Sequence, residues 1–118
     1  MAMQQYEGGC QCGAVRFKAE VDLDGLIVCN CSRCGRTGAM MAFTAPDKFE
    51  LTAGEGATRE YVFNTGKIHH PFCTTCGIEA YGHGVGPRGP MVMVNARCID
   101  DVDVHTLQAK PFDGKNKL

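Results

Sequence analysis

Between Ala14 and Asp22 the chain alternates strictly: Val15, Phe17, Ala19 and Val21 on one side, Arg16, Lys18, Glu20 and Asp22 on the other. A period of two is the mark of a half-buried strand. After the turn Asp22-Leu23-Asp24-Gly25, the apolar run Leu26-Ile27-Val28 predicts a second strand, and Met40 to Thr44 a third. Ala45-Pro46-Asp47 predicts a turn before a strand at Lys48 to Thr52, and 54–57 a loop. Thr58 to Phe63 and Lys67 to Phe72 flank Asn64-Thr65-Gly66, which suits a three-residue hairpin. Ile78 to Tyr81 reads as a strand, Gly82 to Pro90 as a glycine- and proline-rich loop, and Met91 to Val94 as a last buried run. Only Asp100 to Leu107 offers a helical turn, and the residues from Pro111 read as a loose tail. Many short strands separated by turns predict an all-β fold.

At 118 residues the expectation is a single domain spanning 1–118, with a flexible tail from about 111. Aromatic residues are few and tryptophan is absent, so metal crosslinks would reinforce a modest core. A formal charge of -1 gives no basic footprint for nucleic acid. Residues 1–9 lack the basic and apolar regions of a signal peptide, and no apolar run approaches membrane-spanning length, so a cytoplasmic protein without nucleic-acid or membrane partners is expected.

In a reducing compartment, the eight cysteines read as metal thiolates rather than disulfides. Cys10 and Cys12 near the start match Cys73 and Cys76 after the hairpin as two halves of one structural site. Closing the loop between them costs about 3–4 kcal/mol, against about 10–16 kcal/mol from a structural zinc. Cys29, Cys31 and Cys34 converge on one short loop at a strand end. Three thiols can share one ion and leave its fourth position to water, substrate or a distant side chain. Spacing equally permits two closed sites, one of Cys10, Cys12, Cys29 and Cys31 and one of Cys34, Cys73, Cys76 and Cys98. Cys12, Cys34 and Cys76 each precede glycine, as metal knuckles with a positive-φ turn often do.

Cys98 ends an apolar run and reads as a core thiol. His69 and His70, neighbours on one strand, face opposite ways, so at most one approaches the second site. His83 and His105 have no ligand-like spacing, and Arg33, Arg36 and Arg97 are candidates to offset thiolate charge or bind a substrate carboxylate.

The order Gly9-Cys10-x-Cys12-Gly13-x-Val15-Arg16-Phe17, Cys29-x-Cys31-x-x-Cys34 with Gly38, Phe72-Cys73-x-x-Cys76-Gly77 and Val94-Asn95-x-Arg97-Cys98 resembles the glutathione-dependent formaldehyde-activating enzyme family, also called the centromere protein V family. The resemblance implies a β-tent fold related to methionine-R-sulfoxide reductase B and two zinc sites. It implies Cys10, Cys12, Cys73 and Cys76 as structural zinc ligands, and Cys29, Cys31 and Cys34 as the catalytic zinc site. It also implies a carbon-sulfur lyase that uses a small glutathione-like thiol and an aldehyde. In this sequence Asn30 stands where the family often has histidine, and Gly35 where arginine is frequent. A non-catalytic zinc scaffold and a methionine sulfoxide reductase, for which Cys98 would be the spare thiol, are the alternatives.

Overall fold

The computed structural model describes residues 3–117. The alternating segment forms strand β2 (Arg16–Val21), and its apolar side chains Phe17, Ala19 and Val21 are buried. It pairs antiparallel with β1 (Gln4–Gly9) and with β5 (Phe49–Ala53) in a three-stranded sheet. A seven-stranded sheet runs in the order β10 (Ala109–Phe112), β3 (Leu26–Cys29), β4 (Met41–Thr44), β9 (Gly89–Asn95), β8 (Tyr81–Gly86), β7 (Ile68–Cys73) and β6 (Thr58–Tyr61). Among the described residues, helix is limited to one turn each at α1 (Cys34–Thr37) and α2 (Gly114–Lys117), with four short 3-10 turns. The all-β expectation holds.

The main core draws on both sheets: Phe17, Ala19 and Val21 from β2 meet Ala42 of β4 and Val92 and Val94 of β9, with Leu26, Met40, Ala80, Ala96 and Ile99. Burying a side chain of the size of Phe17 or Leu26 contributes about 1.5–3 kcal/mol. Phe49 links the sheets, its ring 5.6 Å from Phe17 and 4.9 Å from Tyr81.

Several expected boundaries move. Gly8 and Gly9 close β1, which the sequence pattern did not predict: a Cβ would lie 2.3 Å from the Cys98 carbonyl oxygen at Gly8 and 2.1 Å from that of Val15 at Gly9. The β6–β7 connection is longer than three residues, running over 62–67, with Asn64 and Gly66 at positive φ as the sequence predicts. Residues 77–80 join no strand, and Gly82 to Pro90 is not a loop. It forms the β8–β9 hairpin, whose ladder runs to Gly86↔Gly89 across Pro87-Arg88. Glycines at 82, 84 and 86 are strand residues on one face, and at Gly84 a Cβ would press within 2.7 Å of the Lys67 carbonyl oxygen.

The expected loose tail is also corrected. Ala109 to Phe112 add a parallel strand to β3, in register Ala109↔Leu26 to Phe112↔Cys29, so these residues are anchored beside the cysteine triplet.

Candidate metal centres and their surroundings

Two turns bring Cys10, Cys12, Cys73 and Cys76 together, with one sulfur from each within 4.8 Å of the others. The first follows β1, where the Cys10 amide donates to the Val15 carbonyl at 3.0 Å and Gly13 takes φ 86°. The second follows β7, where Gly77 takes φ 80° and donates to the Cys73 carbonyl at 2.8 Å. Glycine meets this left-handed backbone without the steric cost of a Cβ. The Sγ atoms of Cys10 and Cys12 lie 3.7 Å apart, and those of Cys12 and Cys73 lie 3.6 Å apart. Sulfurs placed tetrahedrally about 2.3 Å from a common zinc have edges of about 3.8 Å, so the donor set fits that ion. Backbone amides of Val15, Thr75 and Cys76 donate to these sulfurs at 3.3–3.5 Å.

Cys76, Cys73 and Cys12 do not behave alike. The Ile78 amide, followed by that of Cys12, draws Cys76 down to about 6, and the Cys76 amide holds Cys73 below the ordinary thiol value. At Cys12 the downward pull of the Ala14 amide is outweighed by Cys73, burial and Cys10, which raise it to about 11. A bound dication displaces the protons that such thiols retain.

Cys29, Cys31 and Cys34 form the second group, also within 4.8 Å of one another. Cys29 ends β3, Cys31 is in the tight loop that follows, and Cys34 opens α1. The Cys31 amide donates to Cys29 Sγ at 3.4 Å and the Cys34 amide to Cys31 Sγ at 3.3 Å. Burial pushes Cys31 up, but the amides of Cys34 and Arg33 outweigh it and its pKa falls. Burial, with Cys31 beside it, pushes Cys34 up to about 12. Ala39, Met41 and Met93 make an apolar bed packed by Ile27, Cys29 and Cys34. Gly35 is not a positive-φ knuckle residue here; it lies in the α1 turn, and Gly38 at φ 71° ends that turn by donating to Cys34 O. Among the described residues no fourth Cys, His, Asp or Glu donor joins the three.

The sulfurs therefore group as four and three, not as two neighbouring fours. Cys98 is outside both groups and packs against the main core, where burial first, then Cys10, Cys76 and Glu79, raise its pKa to about 11.

A polar network joins the two centres. Arg33, inside the triplet loop, donates to Glu79 Oε1 from Nη2 at 2.8 Å and stacks 4.7 Å above the Tyr61 ring. Glu79 Oε2 lies 2.9 Å from Nδ1 of the buried His70. His69, the preceding residue on β7, turns to the other face and meets Glu60, with Nδ1 2.8 Å from Oε2. Arg36 instead donates to the Ser32 carbonyl and Arg97 to that of Gly38, so both brace the triplet loop. Asn30 donates to Asp113 at 2.9 Å and accepts from the Lys115 amide at 2.9 Å, tying that loop to the C-terminal segment.

Sequence reasoning missed Glu79 and Asp113; a lone acid between Ile78 and Ala80 was the only local sign of the first. The profile of the glutathione-dependent formaldehyde-activating enzymes matches residues 5–113, across both cysteine groups. The chain belongs to that family. A relative from Schizosaccharomyces pombe, described as an uncharacterised lyase, is 26% identical over 110 residues, covering 92% of this chain and 78% of its own. The crystal structure of a Rhodobacter sphaeroides protein superposes with a TM-score of 0.79 at 30% identity, covering 89% of this chain and 97% of that one. Both similarities extend over most of the chain rather than over one motif. Among the described residues, no helix is long and apolar enough to cross a membrane.

Proposed function

We propose that the chain is a zinc-dependent carbon-sulfur lyase of the S-hydroxymethylglutathione synthase type, joining a small thiol to an aldehyde and reversing that addition. One observation carries the reading: Cys29, Cys31 and Cys34 converge on a braced loop that no fourth protein donor completes among the described residues. Cys10, Cys12, Cys73 and Cys76 hold a structural zinc, and the triplet holds a second. When bound there, zinc supplies the Lewis acidity that keeps an incoming thiol ionised at neutral pH.

The chain's own residues position and balance this site. Amides of Cys31 and Cys34 donate to the sulfurs of Cys29 and Cys31 and so favour their thiolate form. Arg33 brings a positive charge into the loop that carries three thiolates, and Glu79 fixes its side chain. Arg36, Arg97 and Asn30 hold the loop's shape from three directions. In the addition, the thiolate sulfur forms a bond to the aldehyde carbon, the carbonyl π pair moves to oxygen, and oxygen takes up one proton in place of that lost from the thiol. The reverse breaks the same carbon-sulfur bond. Apolar Ala39, Met41 and Met93 beneath the loop limit water at its inner side.

The reductase alternative loses support at Cys98, whose raised pKa makes it a poor nucleophile at neutral pH. The test is exchange NMR of glutathione with formaldehyde at equilibrium, with and without zinc-loaded protein. Faster interconversion of thiol and hydroxymethyl adduct supports the reading. An exchange rate equal to the spontaneous one for glutathione and for other small thiols would overturn it.

A further inference from the structure

Glu60, His69 and His83 meet on the sheet face opposite to the His70–Glu79 contact. In the β6–β7 ladder Glu60 pairs with Pro71, which places it diagonal to His69 on the same face. In the β7–β8 ladder His69 is directly opposite His83. The three side chains thus come from three adjacent strands whose backbones are fixed by hydrogen bonds, although His83 has no ligand-like spacing in the sequence.

The contacts are close. Glu60 Oε2 lies 2.8 Å from His69 Nδ1, and Glu60 Oε1 lies 3.7 Å from His83 Nε2. The two imidazoles stack with centroids 4.8 Å apart and an interplanar angle of 6°. One donor atom from each residue lies within 4.8 Å of the others. Their side chains are 41% to 44% exposed, so solvent and ions reach them.

Beside them is a cavity of about 440 Å³ whose wall includes Phe49, Tyr81, Met91 and both histidines. Burial and then the Glu60 charge push the Tyr81 phenol above its ordinary value, so the Glu60 carboxylate acts electrostatically on that wall. Two imidazole nitrogens and one carboxylate oxygen form a borderline donor set that suits zinc, nickel, copper or iron(II), unlike the soft thiolate groups. The cavity leaves room for water or a small ligand at the remaining coordination positions. The parallel rings must turn about their side-chain torsions to aim both lone pairs at one ion, a change open to exposed side chains.

We propose that Glu60, His69 and His83 form a binding site for a divalent transition-metal ion that shares no residue with either cysteine group. It stands independently of the lyase reading, because its ligands are separate from the thiolate loop.

Nickel(II) is the probe, added to zinc-saturated protein and followed by paramagnetic broadening of backbone amide signals, with protein-bound zinc measured in parallel. One equivalent of nickel is expected to broaden residues 59–61, 68–70 and 82–84 first while zinc content stays constant. His69→Gln and His83→Gln are each expected to weaken binding by at least about tenfold, since even the loss of an outer-sphere partner costs that much. Their nickel-free spectra serve to establish that the fold is retained, and Glu60→Gln replaces any variant that is misfolded. Broadening centred elsewhere, wild-type affinity in the folded histidine variants, or nickel uptake matched by zinc release would overturn the proposal.

Discussion

Arg33 donates to Glu79 across 2.8 Å, and this ion pair ties the loop bearing three cysteines to the segment that follows the other four. Both side chains are mostly buried, 22% and 11% exposed, and the second Glu79 oxygen meets His70. Truncation of Glu79 leaves a guanidinium and an imidazole without their acceptor in a half-buried site. Glu79→Ala is therefore expected to lower stability by about 1–3 kcal/mol, and Glu79→Gln by less. Urea unfolding of the zinc-loaded protein measures this. Zinc at the triplet should also become easier to remove with a chelator, while the four-cysteine centre keeps its metal.

With zinc bound, the two centres would have unequal structural weight: the first would pin β1 to β7 across more than half the chain, whereas the second would close a loop of six residues. Cys73→Ser is expected to abolish the folded circular dichroism signal, because a structural zinc worth about 10–16 kcal/mol matches or exceeds the whole stability of a typical domain. Cys31→Ser is expected to keep that signal and lose one zinc by elemental analysis. Equal collapse of both variants would place equal structural weight on the triplet.

Gly9 leads directly into the first thiol turn, and a Cβ there would lie 2.1 Å from the Val15 carbonyl oxygen, an immovable backbone atom. Gly9→Ala is expected to cost at least about 1–3 kcal/mol, as overpacking does, and to weaken zinc retention at the four-cysteine centre. Thermal unfolding with zinc analysis checks both effects. Gly56→Ala probes backbone conformation instead, since its Cβ position is open and only its φ of 82° opposes a side chain.

Asp113 anchors the C-terminal segment to Asn30, and hydrogen bonds from Asn116 first and Asn30 second hold its carboxyl below the ordinary value of 3.8. A depressed folded-state pKa contributes stability above the unfolded value and loses it as pH falls through the folded one. The advantage of wild type over Asp113→Asn is thus expected to be full above about pH 5 and to shrink as pH drops below about 4. Amide exchange of 109–112 in both proteins, taken at matched zinc occupancy, measures the difference.

What the sequence made legible follows from which forces are local. β2 was legible because Phe17, Ala19 and Val21 face one core while Lys18 and Glu20 face water, so the pattern repeats within six residues. The β8 strand was hidden because Gly82, Gly84 and Gly86 look like loop residues; they serve instead to let β7 and Met91 approach, which only the fold supplies. The C-terminal strand was hidden by Lys110 and Pro111 at an exposed edge, where proline is tolerated. At the site, cysteine spacing suggested both groups, while the choice between four-and-three and two fours depended on the packing of the turn after β1 against the turn after β7. Glu79 was missed because its partner Arg33 is 46 residues away.

Anomalous diffraction at the zinc edge from crystals of the zinc-loaded protein with glutathione tests the central claim most directly. The expected result is two ions, one held by Cys10, Cys12, Cys73 and Cys76, the other by Cys29, Cys31 and Cys34 with the glutathione sulfur as its fourth ligand. A second ion closed by another side chain, or one displaced from the three cysteines, would contradict the account.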